Sequence, residues 1–297
     1  MTILSLIHAS YNIRAIKMQN IHTPSLMFTF TRPPIPQEHG AWFMLYVPLI
    51  TILISLNATI DSSLVLILTV TGAFFGQHAT ILFIRNRAPK GTGLWLLIYS
   101  LLFAVGCIIL LSTYALFDLI YIGTPAAIAL FWLFIRSRFA RKRIDRTFSG
   151  EILAIAGLSL TAPAAAIVAT GHLSQTAMGL WGLYVLFFGS SVLYVKMRIL
   201  AVQKKSGITF KDRITLGSGL IIYHIALLAN VFTFHITTPL LGKYLLVGFA
   251  PIIIRAIIGW IRLSNTLPNL QRVGLIESIY TLWFSVCLIK ALQIISI

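Results

Sequence analysis

From residue 41 onward the chain alternates long apolar runs with short polar breaks. The runs cover 41–59, 62–84, 93–113, 115–135, 151–171, 175–200, 215–236, 242–262 and 274–295. Each is near the roughly 20 residues that an α-helix needs to cross a hydrocarbon core, and charges collect towards the ends. The pattern predicts an all-α fold, a polytopic transmembrane helical bundle of about nine helices. No segment between runs is long enough to fold by itself, so residues 33–297 are read as a single transmembrane domain. Pro48, Pro125, Pro163 and Pro251 fall inside runs and predict kinks, or broken helices that turn carbonyls towards a cavity.

Residues 1–32 are set apart as an N-terminal extension. Their two short apolar runs are broken by Arg14, Lys17 and Pro24, and the order of charge does not fit a cleaved signal peptide. Two readings stay open: an amphipathic surface segment, or a start at Met18 or Met27.

Composition supports the membrane reading, because 58% hydrophobic and 10% charged residues with a mean hydropathy of +0.91 exclude a water-soluble globular domain. The net charge of +16 would suggest nucleic acid if the basic residues formed one patch. They are instead sorted by side. Of the 23 Lys and Arg residues, all but Lys243 and Lys290 fall on the face that carries the N-terminus and the even-to-odd connections. The fourth-to-fifth loop alone holds Arg136, Arg138, Arg141, Lys142, Arg143 and Arg146. Such asymmetry places the N-terminus in the cytoplasm and the C-terminus outside, in a multi-pass protein of the cell membrane. The expected partners of the basic loops are the bilayer and its anionic lipid head groups, not nucleic acid.

Cys107 and Cys287 lie in separate apolar runs, so they form neither a disulfide framework nor a metal-ligand spacing and are read as small core residues. The sequence has no phosphate-binding loop, no metal-ligand His pair at helical spacing and no nucleophile elbow. No cofactor and no metal are expected.

Ionisable groups inside spans cost about 2.5–3.5 kcal/mol on insertion scales and usually face the bundle interior. Here they share one half of the membrane. Glu38 and His39 open the first helix, Glu151 the fifth and Glu277 the ninth, while His78 and Lys196 lie near the same side. His224 and Arg255 lie deeper. The candidates for catalysis are Glu38, His39, His78, Glu151, His224 and Glu277. The candidates for substrate binding are Lys196, Arg198 and Arg255. A plainer reading stands beside this one, since carboxylates at helix N-termini also stabilise the macrodipole and Lys196 and Arg198 can snorkel to the interface.

The stretches "PPIPQEHGAW", "FSGEILAIAGLSLTAPAA", "VLYVKMRI", "IYHIALL", "APIIIRAIIG" and "VGLIES" resemble the YwiC-like integral membrane proteins, a family that brings no established chemistry. Nine helices, an inside N-terminus and a fifth helix that begins "GE" and continues with small residues are also similar, more distantly, to the UbiA superfamily of intramembrane prenyltransferases. That likeness implies a UbiA-like bundle in which aspartate-rich loops hold magnesium against a prenyl diphosphate. The corresponding segments here, "RNRAPKGT" and "KMRILAVQKKSGITFKDR", are basic, and Asp212 has no carboxylate neighbour, which does not suit magnesium.

Three functions follow, and the residues leave open whether the protein is an enzyme. The first is a metal-independent UbiA-like protein that binds or modifies an anionic, lipid-tailed small molecule in a polar cavity on the cytoplasmic side. The second is a transporter or proton-coupled carrier, and the third a non-catalytic membrane interaction protein. Convergence of the embedded charges on one place separates these from simple helix capping.

Overall fold

The computed structural model of the chain describes residues 32–36, 39–84, 87–139, 148–204, 207–266 and 269–295. The N-terminal extension up to residue 31, Glu38 and the basic loop at 140–147 lie outside the described residues.

The described chain is helical, with no strand among the described residues. Its elements are α1 (His39–Ser55), α2 (Ile60–Ile84), α3 (Thr92–Ser112), α4 (Leu119–Phe139), α5 (Phe148–Leu158), α6 (Thr161–Thr170), α7 (Gln175–Val202), α8 (Phe210–Thr237), α9 (Pro239–Ile261) and α10 (Leu270–Ile295). Taken as one span, α5 and α6 join α2, α3, α7, α8, α9 and α10 as the seven helices long and apolar enough to cross a membrane, with α1 and α4 as shorter apolar helices. This is a multi-pass membrane protein, as the apolar runs predict.

The fifth run is broken where its proline requires. Pro163 has no amide hydrogen to return to the Ser159 carbonyl and its ring crowds that group. The Ser159 carbonyl instead accepts from the Ala162 amide at 3.0 Å, and the Leu160 amide bonds Gly157 at 3.2 Å, two tight closures that end α5 and start α6. The Thr161 hydroxyl at this break donates to the Leu45 carbonyl of α1 at 2.8 Å. Leu45 follows Met44, whose carbonyl Pro48 deprives of its amide donor. Two proline-disturbed helices are therefore joined at their weak points. The prolines of α4 and α9 leave those helices continuous.

Two helix starts differ from the apolar pattern. α8 begins at Phe210, five residues before the apolar run, because Thr209 and Asp212 form a capping box in which each side chain meets the other's backbone amide. α10 begins at Leu270, where the Asn269 side chain accepts from the Arg272 amide at 3.2 Å, an N-cap bond. Glu277 is consequently well inside α10 and does not open it. That corrects the helix-end reading of this residue.

α1, α6, α7, α9 and α10 surround a core in which Leu49, Ile52, Ile167, Tyr184, Phe187, Phe249 and Phe284 are fully buried. α2 and α3 form a close antiparallel pair beside it. Gly72 makes that closeness possible: a Cβ there would stand 2.8 Å from the Phe103 amide nitrogen and 2.9 Å from the Tyr99 carbonyl. Small residues that let backbones approach are the common basis of helix pairing in lipid, where no hydrophobic drive separates helix from acyl chain. Large apolar side chains such as Ile108, Ile222 and Ile279 remain exposed around the outside, as a lipid-facing surface requires.

Candidate functional site

α7, α8, α9 and α10 bring five polar side chains together inside the bundle. Arg255 on α9 forms an ion pair through Nη1 with Glu277 Oε1 on α10, the two side chains being 9% and 19% exposed. The other guanidinium nitrogen, Nη2, donates to Ser190 Oγ on α7 at 3.3 Å. Ser190 Oγ in turn lies 3.0 Å from His224 Nε2 on α8, and His224 Nδ1 lies 2.8 Å from the Leu220 carbonyl. A carbonyl only accepts, so Nδ1 carries a hydrogen, and in the neutral ring Nε2 accepts from the Ser190 hydroxyl. Ser191, the next residue, donates to the second oxygen of Glu277 at 2.5 Å. The result is one connected chain, Ser191–Glu277–Arg255–Ser190–His224, drawn from four helices.

Aromatic rings set the guanidinium in place. It stacks over Tyr194 at 4.5 Å from the ring centre and lies 6.0 Å from Tyr280, contacts that attract a desolvated cation. Tyr194 can reach that position because α9 presents Gly259 to it, where any Cβ would overlap the Tyr194 ring. Tyr223, beside His224, donates its hydroxyl to the Leu186 carbonyl, and a Cβ at Gly189 would stand 2.8 Å from that hydroxyl. Among the described residues, Arg255 Nε finds no hydrogen-bond partner although it is buried.

Depth follows from helix arithmetic. At 1.5 Å per residue, Arg255 lies about 9 Å from the end of α9 and Glu277 about 10 Å from the start of α10. Those are the helix ends at which Arg262 and Arg272 stand, the basic face of the protein. On the far side of the centre aromatic rings pack together. Phe187, one turn from Ser190, stacks on Phe284 at 4.6 Å, which meets Phe249 at 4.9 Å and Tyr184 at 5.4 Å. The polar group is thus floored by packed rings and faces the basic side.

A second pair stands nearer that side. Lys196 Nζ is 3.1 Å from Glu151 Oε2, with both side chains about one-third exposed (29% and 32%). α5 begins at Phe148, so Glu151 lies in its first turn, where the macrodipole favours a carboxylate. It serves as both helix-end charge and partner of Lys196. Each of these two cations already has its own carboxylate.

The remaining candidates are elsewhere or outside description. Arg198 donates to the Arg262 carbonyl at 3.3 Å, tying the ends of α7 and α9 together. His78 stands on α2, whose main partner is α3. His39 begins α1, its side chain lying outside the described residues, as does Glu38. Asp212 is occupied by the capping box and by Lys204 at 2.8 Å. Among the described residues, no three His, Cys, Asp or Glu side chains group closely enough to hold a metal ion.

Ser190 and Ser191 are the residues that sequence reasoning misses. Two hydroxyls within "FFGSSVLY" read as helix packing, and only contacts 65 and 86 residues away make them polar links.

No curated protein and no solved structure matches the chain. Residues 35–166, from the approach to α1 into α6, match the family model described as YwiC-like protein; the stretches of that resemblance from residue 192 onward lie outside the matched residues.

Proposed function

We propose that this membrane protein binds an anionic small molecule with an apolar tail at Arg255, entering from the basic side and without a metal, and that the basic side is cytoplasmic. The observation that carries the reading is the unspent donor of Arg255. Its guanidinium is deep in the bundle and held by Glu277, Ser190 and Tyr194, yet its Nε has no hydrogen-bond partner among the described residues. A planar fork of donors in a dry site suits a carboxylate, sulfonate or phosphate oxygen. On the same helix Ile254, Ile257 and Ile258 are exposed, which suits a tail lying along the bundle's outer surface. The ring floor beneath the centre favours a site with one entrance over a path through the membrane.

Native mass spectrometry of the protein purified in mild detergent tests this. A bound anionic lipid species is expected in the wild type and is expected to vanish in Arg255→Ala. Retention of that species at wild-type level overturns the reading.

A second reading, a proton-coupled carrier, has one observation in its favour: the hydrogen-bonded chain from Glu277 through Arg255 and Ser190 to His224, since buried ionisable chains serve as proton relays in membranes. In proteoliposomes it requires proton-driven uptake of an anion such as dodecanoate. Uptake that persists in Glu277→Gln and His224→Gln rejects this site as the relay.

A further inference from the structure

The anion site already contains an anion, and its identity restricts the ligand. We infer that Glu277 occupies the ligand's place on Arg255 in the unliganded protein, and that the head group is a monoanion which binds together with one proton, taken up by Glu277. This rests on the reading of Arg255 as the binding residue and adds the charge and proton stoichiometry of its ligand.

Charge balance is the argument. Arg255 is matched by Glu277 and Lys196 by Glu151, and His224 satisfies both of its hydrogen bonds as a neutral imidazole. With His224 neutral, the centre carries no net charge. An anion arriving beside Arg255 while Glu277 keeps its charge would put two negative charges on one guanidinium in a dry place. An unpaired buried charge is resisted strongly enough that the group takes a proton instead. Protonating Glu277 restores neutrality with one arriving negative charge and no more. A diphosphate head, with two or three charges, exceeds the single charge of Arg255, and balancing even two would require the Lys196–Glu151 pair to open and Glu151 to take up a second proton.

The groups around Glu277 allow this exchange. Ser191 donates to its second oxygen. A serine hydroxyl also accepts, so it can turn to receive a hydrogen from the acid form while its own hydrogen goes to a carbonyl one turn back on α7. From α9 it faces Arg255, whose guanidinium lies 4.5 Å from the Tyr194 ring of α7 and 6.0 Å from the Tyr280 ring of α10, and from α8 His224 is reached through Ser190. Nothing covalent changes except one O–H bond. The ligand acid, or water, gives up a proton, Glu277 gains it, and the ligand's oxygen, reached by the free Nε, replaces Glu277 as the charge partner of Arg255.

The test uses the full chain in nanodiscs with dodecanesulfonate, whose head remains a monoanion across the working pH range. Affinity is measured between about pH 5.5 and 8.5, with infrared difference spectra recorded on ligand addition. The expected result is binding that weakens about tenfold per pH unit once Glu277 is ionised in the free protein, as linkage of one proton requires. A carboxylic-acid C=O band should appear with the ligand. In Glu277→Gln binding should be at least as tight, independent of pH and without that band. Dodecyl diphosphate should bind at least tenfold more weakly than the sulfonate. Binding that needs Arg255 but is unchanged by pH, with no acid band in the wild type, overturns the inference and leaves the Arg255 site standing. Tighter binding of the diphosphate overturns the monoanion requirement. Binding unchanged in Arg255→Ala overturns the site itself. The infrared measurement on the wild type decides the matter even if a variant fails to fold.

Discussion

Arg255 and Glu277 belong to antiparallel neighbours, α9 and α10, and stand at the same level in the bundle, about two turns from the basic end of each helix. α9 runs towards that end and α10 away from it, so a charge six residues before one terminus meets a charge seven residues after the other. The pair is then completed by Ser190 and Ser191, adjacent residues of α7 that divide between the two partners.

This pairing predicts a particular pattern of stability. Arg255→Ala leaves a buried carboxylate without its cation and should cost about 3–5 kcal/mol, whereas removing both charges with well-packed apolar residues is far less harmful. Thermal melting in detergent should therefore show a large fall in Tm for Arg255→Ala and recovery of most of it in Arg255→Leu combined with Glu277→Leu, a variant that no longer binds the anion. Equal melting of the single and double variants contradicts the pairing.

The Lys196–Glu151 pair should behave differently. Both side chains are about one-third exposed, and pairs of that kind contribute about 0–1 kcal/mol. Lys196→Gln should shift Tm little where Arg255→Gln shifts it much. Comparable shifts would mean that the outer pair is as dry as the inner one.

The apolar pattern alone makes the spans legible, because the hydrocarbon thickness fixes helix length and charges collect outside it. It also makes Arg255, His224 and Glu277 stand out, since ionisable residues in apolar runs are costly. It misplaces the starts of α8 and α10, whose first turns are polar and held by Thr209, Asp212 and Asn269. Hydropathy counts such turns as loop. That error makes Glu277 look like a helix-end carboxylate when it is a buried partner of Arg255. Ser190 and Ser191 are invisible for another reason: a hydroxyl is tolerated almost anywhere on a membrane helix, and its meaning depends on which distant residue it faces. The break at Ser159 is announced by Pro163, but its bond from Thr161 to Leu45 spans 116 residues and has no local sign.

That bond gives a prediction for the joint between α1 and α6. Thr161→Val keeps the shape and removes the hydroxyl, and with it the bonds to the Leu45 and Leu158 carbonyls at 2.8 and 3.1 Å. The Leu45 carbonyl lies inside α1, so the loss is that of a side-chain hydrogen bond, about 0.5–1.5 kcal/mol. Tm should fall accordingly, and hydrogen exchange should rise in the amides around Ser159 and Leu45. Unchanged exchange there would show that the joint is held by packing alone.

Glycine contacts separate backbone packing from free surface. At Gly72 a Cβ would press on the backbone of α3, with the Phe103 nitrogen at 2.8 Å and the Tyr99 carbonyl at 2.9 Å, while at Gly157 it meets nothing within 4 Å. Backbone cannot swing aside as a side chain does. Gly72→Ala should force α2 from α3 at a cost of about 1–3 kcal/mol, and Gly157→Ala, inside a helix, should be neutral or stabilising by up to about 1 kcal/mol. A Tm for Gly72→Ala equal to that of Gly157→Ala would contradict the close approach of the two helices.

Orientation is testable from the same charge asymmetry. The order of spans in the sequence assigns all basic residues except Lys243 and Lys290 to one face, and cytoplasmic loops are those that retain Lys and Arg. Lys90, before α3, and His172, between α6 and α7, are exposed on opposite faces. With Cys107 and Cys287 replaced by alanine, a single cysteine at 172 should react with a membrane-impermeant maleimide added to intact cells, and one at 90 only after the cells are opened. The reverse pattern would place the basic face outside. The Arg255 centre would then draw its ligand from the exterior, and the proposed cytoplasmic entry would be wrong even if the ligand chemistry were right.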